Sequence, residues 1–180
     1  MLIQISNRVY SAPGSGTIRP VEIAIERMTL ADLDEVLIIE NYSFPTPWDR
    51  RSYEQDIKYS PVSRFYTARG NAGEIAGYIG NWFFADECHI GTLAVAREWR
   101  RLGIAKALIA HSAAQAVTES LKYAILEVRV GNRAAIALYE ALGFRIIGQR
   151  AGYYQDTGED AHMMMHSDLA ALAGIPVGSE

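Results

Sequence analysis

The sequence predicts a single α+β (mixed α/β) domain built around one sheet. Three observations lead to this fold class. Strand-like segments lie towards both ends of the chain, three of them follow one another in the middle, and strand-helix-strand alternation is confined to the second half. A chain of 180 residues is long enough for one hydrophobic core, and no internal repeat is visible.

The first strand and the two helices after it are marked by local signals. Residues 21–28 alternate apolar and polar side chains, which predicts a half-buried strand. Thr29 is a good N-cap and Asp32 follows three residues later, so a helix is predicted to begin there. The two prolines of SFPTPW end this helix, and Asp49 begins a second one.

The rest of the chain alternates between strands and helices. Asn132 is a suitable N-cap for the last predicted helix, and Gly143 stands where a left-handed residue would end it. The predicted elements are strands at 63–70, 74–85 and 87–96, a helix at 104–120, a strand at 122–130, a helix at 132–144, and strands at 145–155 and 160–169.

The two ends of the chain are predicted to lie outside the domain. Residues 1–20 contain SAPGSG and indicate a flexible leader, residues 21–169 form the domain, and residues 170–180 form a flexible tail. The leader lacks a basic stretch followed by an apolar block, so it does not indicate a secretory signal. No apolar run reaches the roughly 18 residues that span a membrane, and no membrane association is expected.

Charge and cysteine content narrow the partners and the location. A net charge of -4 argues against a surface that coats nucleic acid, so no direct nucleic-acid partner is expected. The single cysteine, Cys88, excludes an internal disulfide and a cysteine-based zinc site, and it indicates a cytoplasmic protein.

Neither a thiol nucleophile nor a metal site is predicted. Cys88 and His89 are adjacent in a strand, so their side chains point to opposite faces. His162 and His166 share a face of a predicted strand but lie too far apart to bind one ion without a third ligand.

The segment RRLGIA, residues 100–105, combines arginines, a glycine and the start of a helix. A helix N-terminus offers unpaired amide groups and the positive end of its dipole, which favour an anion such as a pyrophosphate. Gly103 allows a positive φ or a close approach of the backbone, and Ala105 leaves the first turn open. Ordinary turn chemistry before a buried helix is the alternative. No P-loop pattern and no GxGxxG pattern is present.

RRLGIA resembles the acetyl-CoA signature Q/R-x-x-G-x-G/A of the GNAT acetyltransferases. The downstream LEVRVGNRAAIALYEALGF resembles the region around that family's other signature. Together with SFPTPW and AGYYQDTGEDAHMMM, these segments are similar to the ribosomal-protein alanine N-acetyltransferases (RimI type). The resemblance implies a GNAT fold, in which a mixed, mostly antiparallel sheet contains a splayed parallel strand pair and is flanked by helices.

The resemblance also implies a set of acetyl-CoA contacts and no metal. The backbone of the strand before RRLGIA would bind the pantetheine arm, and Asn132 would add a further contact. The implied cofactor-binding residues are Leu93, Ala94, Val95, Arg100, Arg101, Leu102, Gly103, Ile104, Ala105, Lys106 and Asn132.

Glu127 and Tyr139 are the implied catalytic pair, with Glu127 as general base and Tyr139 as general acid. Acetyl transfer to an amine removes one proton from an ammonium and benefits from another on the leaving thiolate. By its helical spacing Tyr139 also fits a core position. A carboxylate within the apolar AILEVRV needs a partner, water or a raised pKa, whereas an edge strand would turn Glu127 to solvent.

The resemblance implies that the acceptor is the N-terminal amine of a protein, with alanine first and a ribosomal protein as substrate. The alternatives are a GNAT enzyme for a small amine, polyamine or antibiotic, and a catalytically silent acyl-CoA-binding regulatory module. An acidic cluster in the acceptor loops would favour a small amine, but Glu40, Asp49 and Glu54 have the pattern of helix surface. The aromatic residues that could line a peptide groove are Tyr42, Phe44, Trp48, Tyr153 and Tyr154.

Overall fold

A computed structural model describes residues 2–10 and 19–177 of the chain. The strands are β1 (Leu2–Tyr10), β2 (Arg19–Arg27), β3 (Ser63–Arg69), β4 (Ile75–Phe84), β5 (Glu87–Val95), β6 (Tyr123–Arg129), β7 (Arg145–Tyr154) and β8 (Glu159–His166). The helices are α1 (Leu33–Ser43), α2 (Arg50–Tyr59), α3 (Ile104–Thr118), α4 (Arg133–Ala141) and α5 (Leu169–Ala173).

The strands form one sheet in the order β1-β2-β3-β4-β5-β6-β8-β7. Neighbouring strands are antiparallel except for β5 and β6, which run parallel. A parallel pair requires a crossover, and α3 supplies it. The predicted fold class is therefore confirmed, including the single parallel pair within a mostly antiparallel sheet.

The two faces of the sheet are covered by different helices. On β4 the Asn81 side chain points to α3, where its amide nitrogen lies 2.9 Å from the Ser112 hydroxyl. Tyr78, an odd number of residues away, points to the opposite face and hydrogen-bonds Glu40 of α1. Both faces of the central strands are consequently buried, and Ile79, Leu108 and Tyr53 are fully enclosed.

Two elements extend the predicted order. β1 pairs antiparallel with β2 and adds an edge strand within the segment that the sequence indicated as a leader, while residues 11–18, which contain SAPGSG, lie outside the described residues. α5 lies in the segment expected to fray. It forms because Asp168 caps the Ala171 amide at 2.9 Å, and Leu169 and Leu172 are buried. The domain limits of 21 and 169 themselves stay a prediction.

In the described ranges, no helix has both the length and the apolar character needed to cross a membrane.

Candidate active site

A gap opens between β5 and β6 halfway along the parallel pair. The two strands are paired from Glu87 to Ile90 on β5, opposite Tyr123 to Leu126 on β6, and not beyond. At the point of separation, Ile90 lies opposite Asn81 of β4 and Thr92 lies opposite Gly80, so Gly91 is one residue extra. Such a β-bulge bends the strand that carries it. A side chain at Gly91 would collide with the Trp82 ring, which explains why glycine stands there.

Beyond the bulge, β5 turns some of its backbone groups towards the gap. The Ala96 amide donates to the Ala76 carbonyl at 2.9 Å, and hydrogen-bonding direction alternates along an antiparallel strand. The backbone groups of Ala94 therefore face β4, whereas those of Leu93 and Val95 face the gap. Of the three residues predicted to offer their backbone to pantetheine, the geometry supports Leu93 and Val95 and not Ala94.

The turn from β5 into α3 presents amide groups at one point. Arg101 and Gly103 have positive φ angles of 64° and 85°, and α3 begins directly after Gly103. The first intrahelical bond runs from the Ala107 amide to the Gly103 carbonyl, and no side chain caps the helix. The amides of Ile104, Ala105 and Lys106 are therefore available to an anion. We call residues 100–106 the amide cradle.

The two arginines of the cradle differ in their surroundings. The Arg100 Nε donates to the Val95 carbonyl at 3.1 Å, so its side chain folds back over the end of β5. Arg101 is exposed, and Lys106 is half-buried on the first turn of α3. Both arginines are exposed, but only Arg100 is tied by a hydrogen bond to the end of β5.

A cavity of about 310 Å³ lies beside the gap and holds the predicted catalytic residues together. Glu127, Tyr139 and Asn132 all line it, as does Leu93. Four of the five aromatic residues expected near a peptide groove also line it: Phe44, Trp48, Tyr153 and Tyr154. Tyr42 instead lies beneath the guanidinium of Arg97, 4.7 Å from its ring centre.

Glu127 is deeply buried and both of its carboxylate oxygens have partners. Its side chain is 6% exposed, with Oε2 lying 2.7 Å from the Nε2 of His89 and Oε1 lying 3.0 Å from Nη1 of Arg150. Hydrogen bonding to His89 lowers the pKa of Glu127, and the positive charge of Arg150 adds to this effect. Glu127 is therefore a carboxylate with a cationic environment, and it does not face solvent from an edge strand.

His89, the hydrogen-bond partner of Glu127, lines the same cavity. Its ring is about one third exposed, lines the cavity and lies edge-on to Trp82 at 5.9 Å. The hydrogen bond with Glu127 raises the pKa of His89, although burial opposes it. Its other nitrogen, Nδ1, lies 3.6 Å from Glu87. As predicted, Cys88 points the opposite way and is buried, and burial raises the pKa of its thiol to about 12.

Tyr139 occupies the core position that its spacing predicts and also borders the cavity. The side chain is 8% exposed and its ring lies 5.6 Å from Phe144 in the core, yet it also lines the cavity. Burial raises the pKa of Tyr139 well above its ordinary value. No described residue hydrogen-bonds its hydroxyl, so the proton is free for an incoming group.

Asn132 and Arg129 organise the end of β6. The Asn132 Oδ1 caps α4 by accepting from the Ala135 amide at 3.2 Å, which leaves its amide nitrogen for a ligand. Arg129 binds both carboxylate oxygens of Asp156, at 2.8 and 2.7 Å, and stacks on Tyr154 at 3.8 Å. Arg129 thereby fixes the hairpin between β7 and β8, which brings Tyr153 and Tyr154 to the cavity.

One expectation about the acceptor side was wrong. Glu40 has the sequence pattern of helix surface, but it is 1% exposed and lines the cavity. Burial is possible because hydroxyl and amide donors from α2, β4 and the loop before α2 surround its carboxylate. Asp49 and Glu54 do lie on the surface of α2, where Asp49 caps the Ser52 amide.

Within the described part of the chain, no three His, Cys, Asp or Glu side chains cluster closely enough to hold a metal ion. Met164, from the MMM run, is fully buried in the core, and Met163 and Met165 are half-buried.

Residues 33–144, more than half of the sequence, match the acetyltransferase (GNAT) family. The chain belongs to this family. Its members use acetyl-CoA, and the chain is accordingly an N-acetyltransferase. The family motifs recognised in the sequence and the splayed strand pair seen in the fold agree with this assignment.

The similar proteins include N-terminal acetyltransferases. The ribosomal protein bS18-alanine N-acetyltransferase of Escherichia coli is 30% identical over 142 residues, which cover 78% of this chain and 94% of that protein. An N-alpha-acetyltransferase of Sulfurisphaera tokodaii is 32% identical over 156 residues, covering 79% and 92%. A crystal structure of the Escherichia coli ribosomal-protein-S18-alanine N-acetyltransferase aligns with a TM-score of 0.73 and 28% identity, covering 81% and 94%. The predicted resemblance to the RimI type is confirmed.

Proposed function

We propose that this GNAT enzyme transfers the acetyl group of acetyl-CoA to the α-amine of a protein N-terminus, with a small first residue such as alanine and a ribosomal protein as its acceptor. The observation that carries the proposal is the His89–Glu127 pair, which lines one cavity together with Tyr139 beside the strand gap. The named relatives act on protein N-termini, which supports the α-amine as acceptor. A cytoplasmic location stays a prediction.

The amide cradle and the gap fit acetyl-CoA. Uncapped amides at the start of α3 suit its pyrophosphate, and the backbone groups of Leu93 and Val95 suit the amides of its pantetheine arm. Arg101 and Lys106 add positive charge. Asn132, with a free amide nitrogen, would make a contact at the other side of the gap.

Glu127 and His89 remove the proton from the acceptor ammonium. Because both Glu127 oxygens have partners, the proton acceptor is the partly exposed ring of His89, through Nδ1. Glu127, which is bonded to Nε2, orients that ring and stabilises its charged form. An α-amine has an ordinary pKa near 8, against about 10.4 for lysine, so a base of modest strength suffices. The neutral amine nitrogen then forms a bond to the thioester carbonyl carbon.

Tyr139 completes the transfer. When the carbon–sulfur bond breaks, the electron pair stays on sulfur, and the Tyr139 hydroxyl supplies a proton to the thiolate. The attacking nitrogen loses its second proton as it becomes an amide, and this proton restores the Tyr139 hydroxyl. A raised pKa keeps that hydroxyl protonated until the thiolate forms. The products are the acetylated N-terminus and free coenzyme A.

Glu40, the acidic residue on the acceptor side of the cavity, does not indicate a polyamine as the acceptor. Glu40 is occupied by three donors, and Glu127 is paired with His89 and Arg150. A polyamine site would need free carboxylates to hold its several charges. The presence of both Glu127 and Tyr139 in one cavity likewise argues against a catalytically silent module.

The test is release of free thiol from acetyl-CoA with peptides that begin with Ala, Ser, Gly or Met, compared with spermidine and with a lysine whose α-amine is blocked. We expect release with the α-amine peptides, and most with Ala. Release with spermidine but with no peptide would overturn the proposal.

A further inference from the structure

Glu40 is a buried carboxylate that the proposed chemistry does not use. It lies in the last turn of α1, is 1% exposed and borders the cavity. No described lysine, arginine or histidine lies within ion-pair distance of it. A buried carboxylate without a cation is costly unless hydrogen bonds satisfy it, so its contacts indicate what it is for.

Three donors from three different elements meet at this carboxylate. Oε2 accepts from the Tyr53 hydroxyl of α2 at 2.8 Å and from the Tyr78 hydroxyl of β4. Oε1 accepts from the backbone amide of Trp48 at 2.9 Å. Burial and the nearby charge of Glu40 raise the pKa of Tyr53, and burial chiefly raises that of Tyr78, so both hydroxyls stay donors.

The Trp48 amide belongs to the segment 44–48, which we call the acceptor loop. Four of its five residues line the cavity: Phe44, Pro45, Thr46 and Trp48. Pro45 and Pro47 have no amide hydrogen, so neither residue can donate a backbone hydrogen bond that would hold the loop. The bond from the Trp48 amide to Glu40 therefore anchors the far end of the loop to α1.

From Trp48 a chain of rings leads to the base. The Trp48 ring lies 5.4 Å from Trp82, which lies 5.9 Å from His89. Trp82 is itself held by a bond from its indole nitrogen to Asp56 at 3.1 Å. A shift of the acceptor loop would thus move the wall that the acceptor meets next to His89.

We propose that Glu40 is a positioning residue for the acceptor: its carboxylate anchors Trp48 and so fixes the acceptor loop as one wall of the cavity. Its side chain is long enough to accept the hydrogen bond from the Trp48 amide, and it does not act by attracting the acceptor's positive charge. The effect of Glu40 on acceptor binding rests on the proposed function, whereas its effect on the position of Trp48 does not.

Two substitutions of Glu40 separate the effect of side-chain length from the effect of negative charge. Glu40→Gln keeps the length and an oxygen for the Trp48 amide but removes the charge. Glu40→Asp keeps the charge but is one methylene too short to reach. We expect E40D to raise the peptide KM about tenfold, as loss of a charge-assisted hydrogen bond would, and E40Q to change it by less than about threefold. The KM for acetyl-CoA stays unchanged in both.

A structural readout that needs no acceptor accompanies the kinetics. Two indoles 5.4 Å apart couple in circular dichroism, and Trp48→Phe identifies that signal by removing it. We expect E40D to weaken the coupled signal and E40Q to retain it. Glu54→Gln and Glu54→Asp are the matched controls, because Glu54 is a partly exposed glutamate of α2 that pairs with Arg50 and Lys58 and does not line the cavity, and they should alter neither readout.

The outcomes are distinct. E40Q raising the peptide KM as much as E40D, or more, would show that charge matters and would overturn the anchoring role, as would no effect of either variant. If the parent enzyme acetylates no peptide, the proposed function fails, and the coupled signal alone decides: its loss in E40D supports the anchor, and its persistence in E40D overturns it.

Discussion

At the scale of single residues, the pairing of His89 with Glu127 has opposite effects on activity and stability. The raised pKa of His89 means that the ion pair stabilises the fold fully below the ordinary histidine pKa, and that this stabilisation is lost as pH rises through the folded value. A proton acceptor must be neutral, so activity increases over the same interval.

The pH profile of the enzyme should therefore depend on His89. We expect kcat/KM for a peptide to fall as pH drops through the raised pKa of His89, and His89→Gln to lower kcat by about 10²-fold and to remove that limb. The charged groups around this ring are Glu87, Glu127 and Arg150, and Trp82, which is bonded to Asp56, lies edge-on to it.

The α-amine of the peptide itself titrates near pH 8 and also affects the pH profile. The test therefore compares the profile of the parent enzyme with that of the variant. His166→Gln, at a ring that lies against Phe144, is the control. An acidic limb at the same pH in H89Q and in the parent would exclude His89 as the titrating group.

Tyr139 offers a second prediction at this scale. Tyr139→Phe removes the hydroxyl but keeps the ring against Phe144, so turnover should fall by about 10²-fold or more while acetyl-CoA binding is retained. Single-turnover kinetics together with calorimetric titration of acetyl-CoA measure the two effects. Tyr59→Phe, at a side chain that is 78% exposed, serves as control. Unchanged turnover in Y139F would leave Tyr139 a core residue alone.

At the scale of elements, the start of α3 predicts an order of effects on acetyl-CoA affinity. Gly103 has a φ of 85° and stands next to the free amides, so a bulky residue there strains the backbone and covers the cradle. Gly103→Val should weaken acetyl-CoA binding more than Arg101→Ala, and more than Arg100→Ala, whose guanidinium is turned to the Val95 carbonyl. Calorimetric affinities check the order, and thermal unfolding shows whether α3 is intact. The reverse order would contradict a cradle made of backbone amides.

What the sequence could predict at this scale was local. The α3 cradle follows from a strand, a short motif and a helix in succession, and Asn132 and Asp49 cap helices as their types suggest. His89 could not be joined to Glu127 in the same way. They are 38 positions apart, and only the register of the parallel strands β5 and β6 brings them together.

Glu40 was missed for a related reason. A glutamate in a helix is expected on the surface, and its burial depends on Tyr53 and Tyr78, which are 13 and 38 positions away. The spacing of side chains along α1 gives no information about the hydroxyl groups of Tyr53 and Tyr78, which belong to another helix and to a strand.

At the scale of the whole molecule, the site draws on most of the chain. Its residues run from Glu40 to Tyr154, and the strands β5 and β6 that frame it lie in the middle of the sheet. β1 lies at one edge of the sheet, and three strands separate it from β5. The N-terminal strand therefore extends the sheet at a distance from the proposed chemistry.

A single residue, Gly91, interrupts the regular pairing of β5 with β4. Without it, Ile90 and Thr92 would be successive residues opposite Asn81 and Gly80, and the ladder between β4 and β5 would run unbroken. The bulge lies directly after Ile90, the last residue of β5 that pairs with β6. The gap thus lies where the nine residues of β5 exceed by one the eight residues of β4 that pair with them.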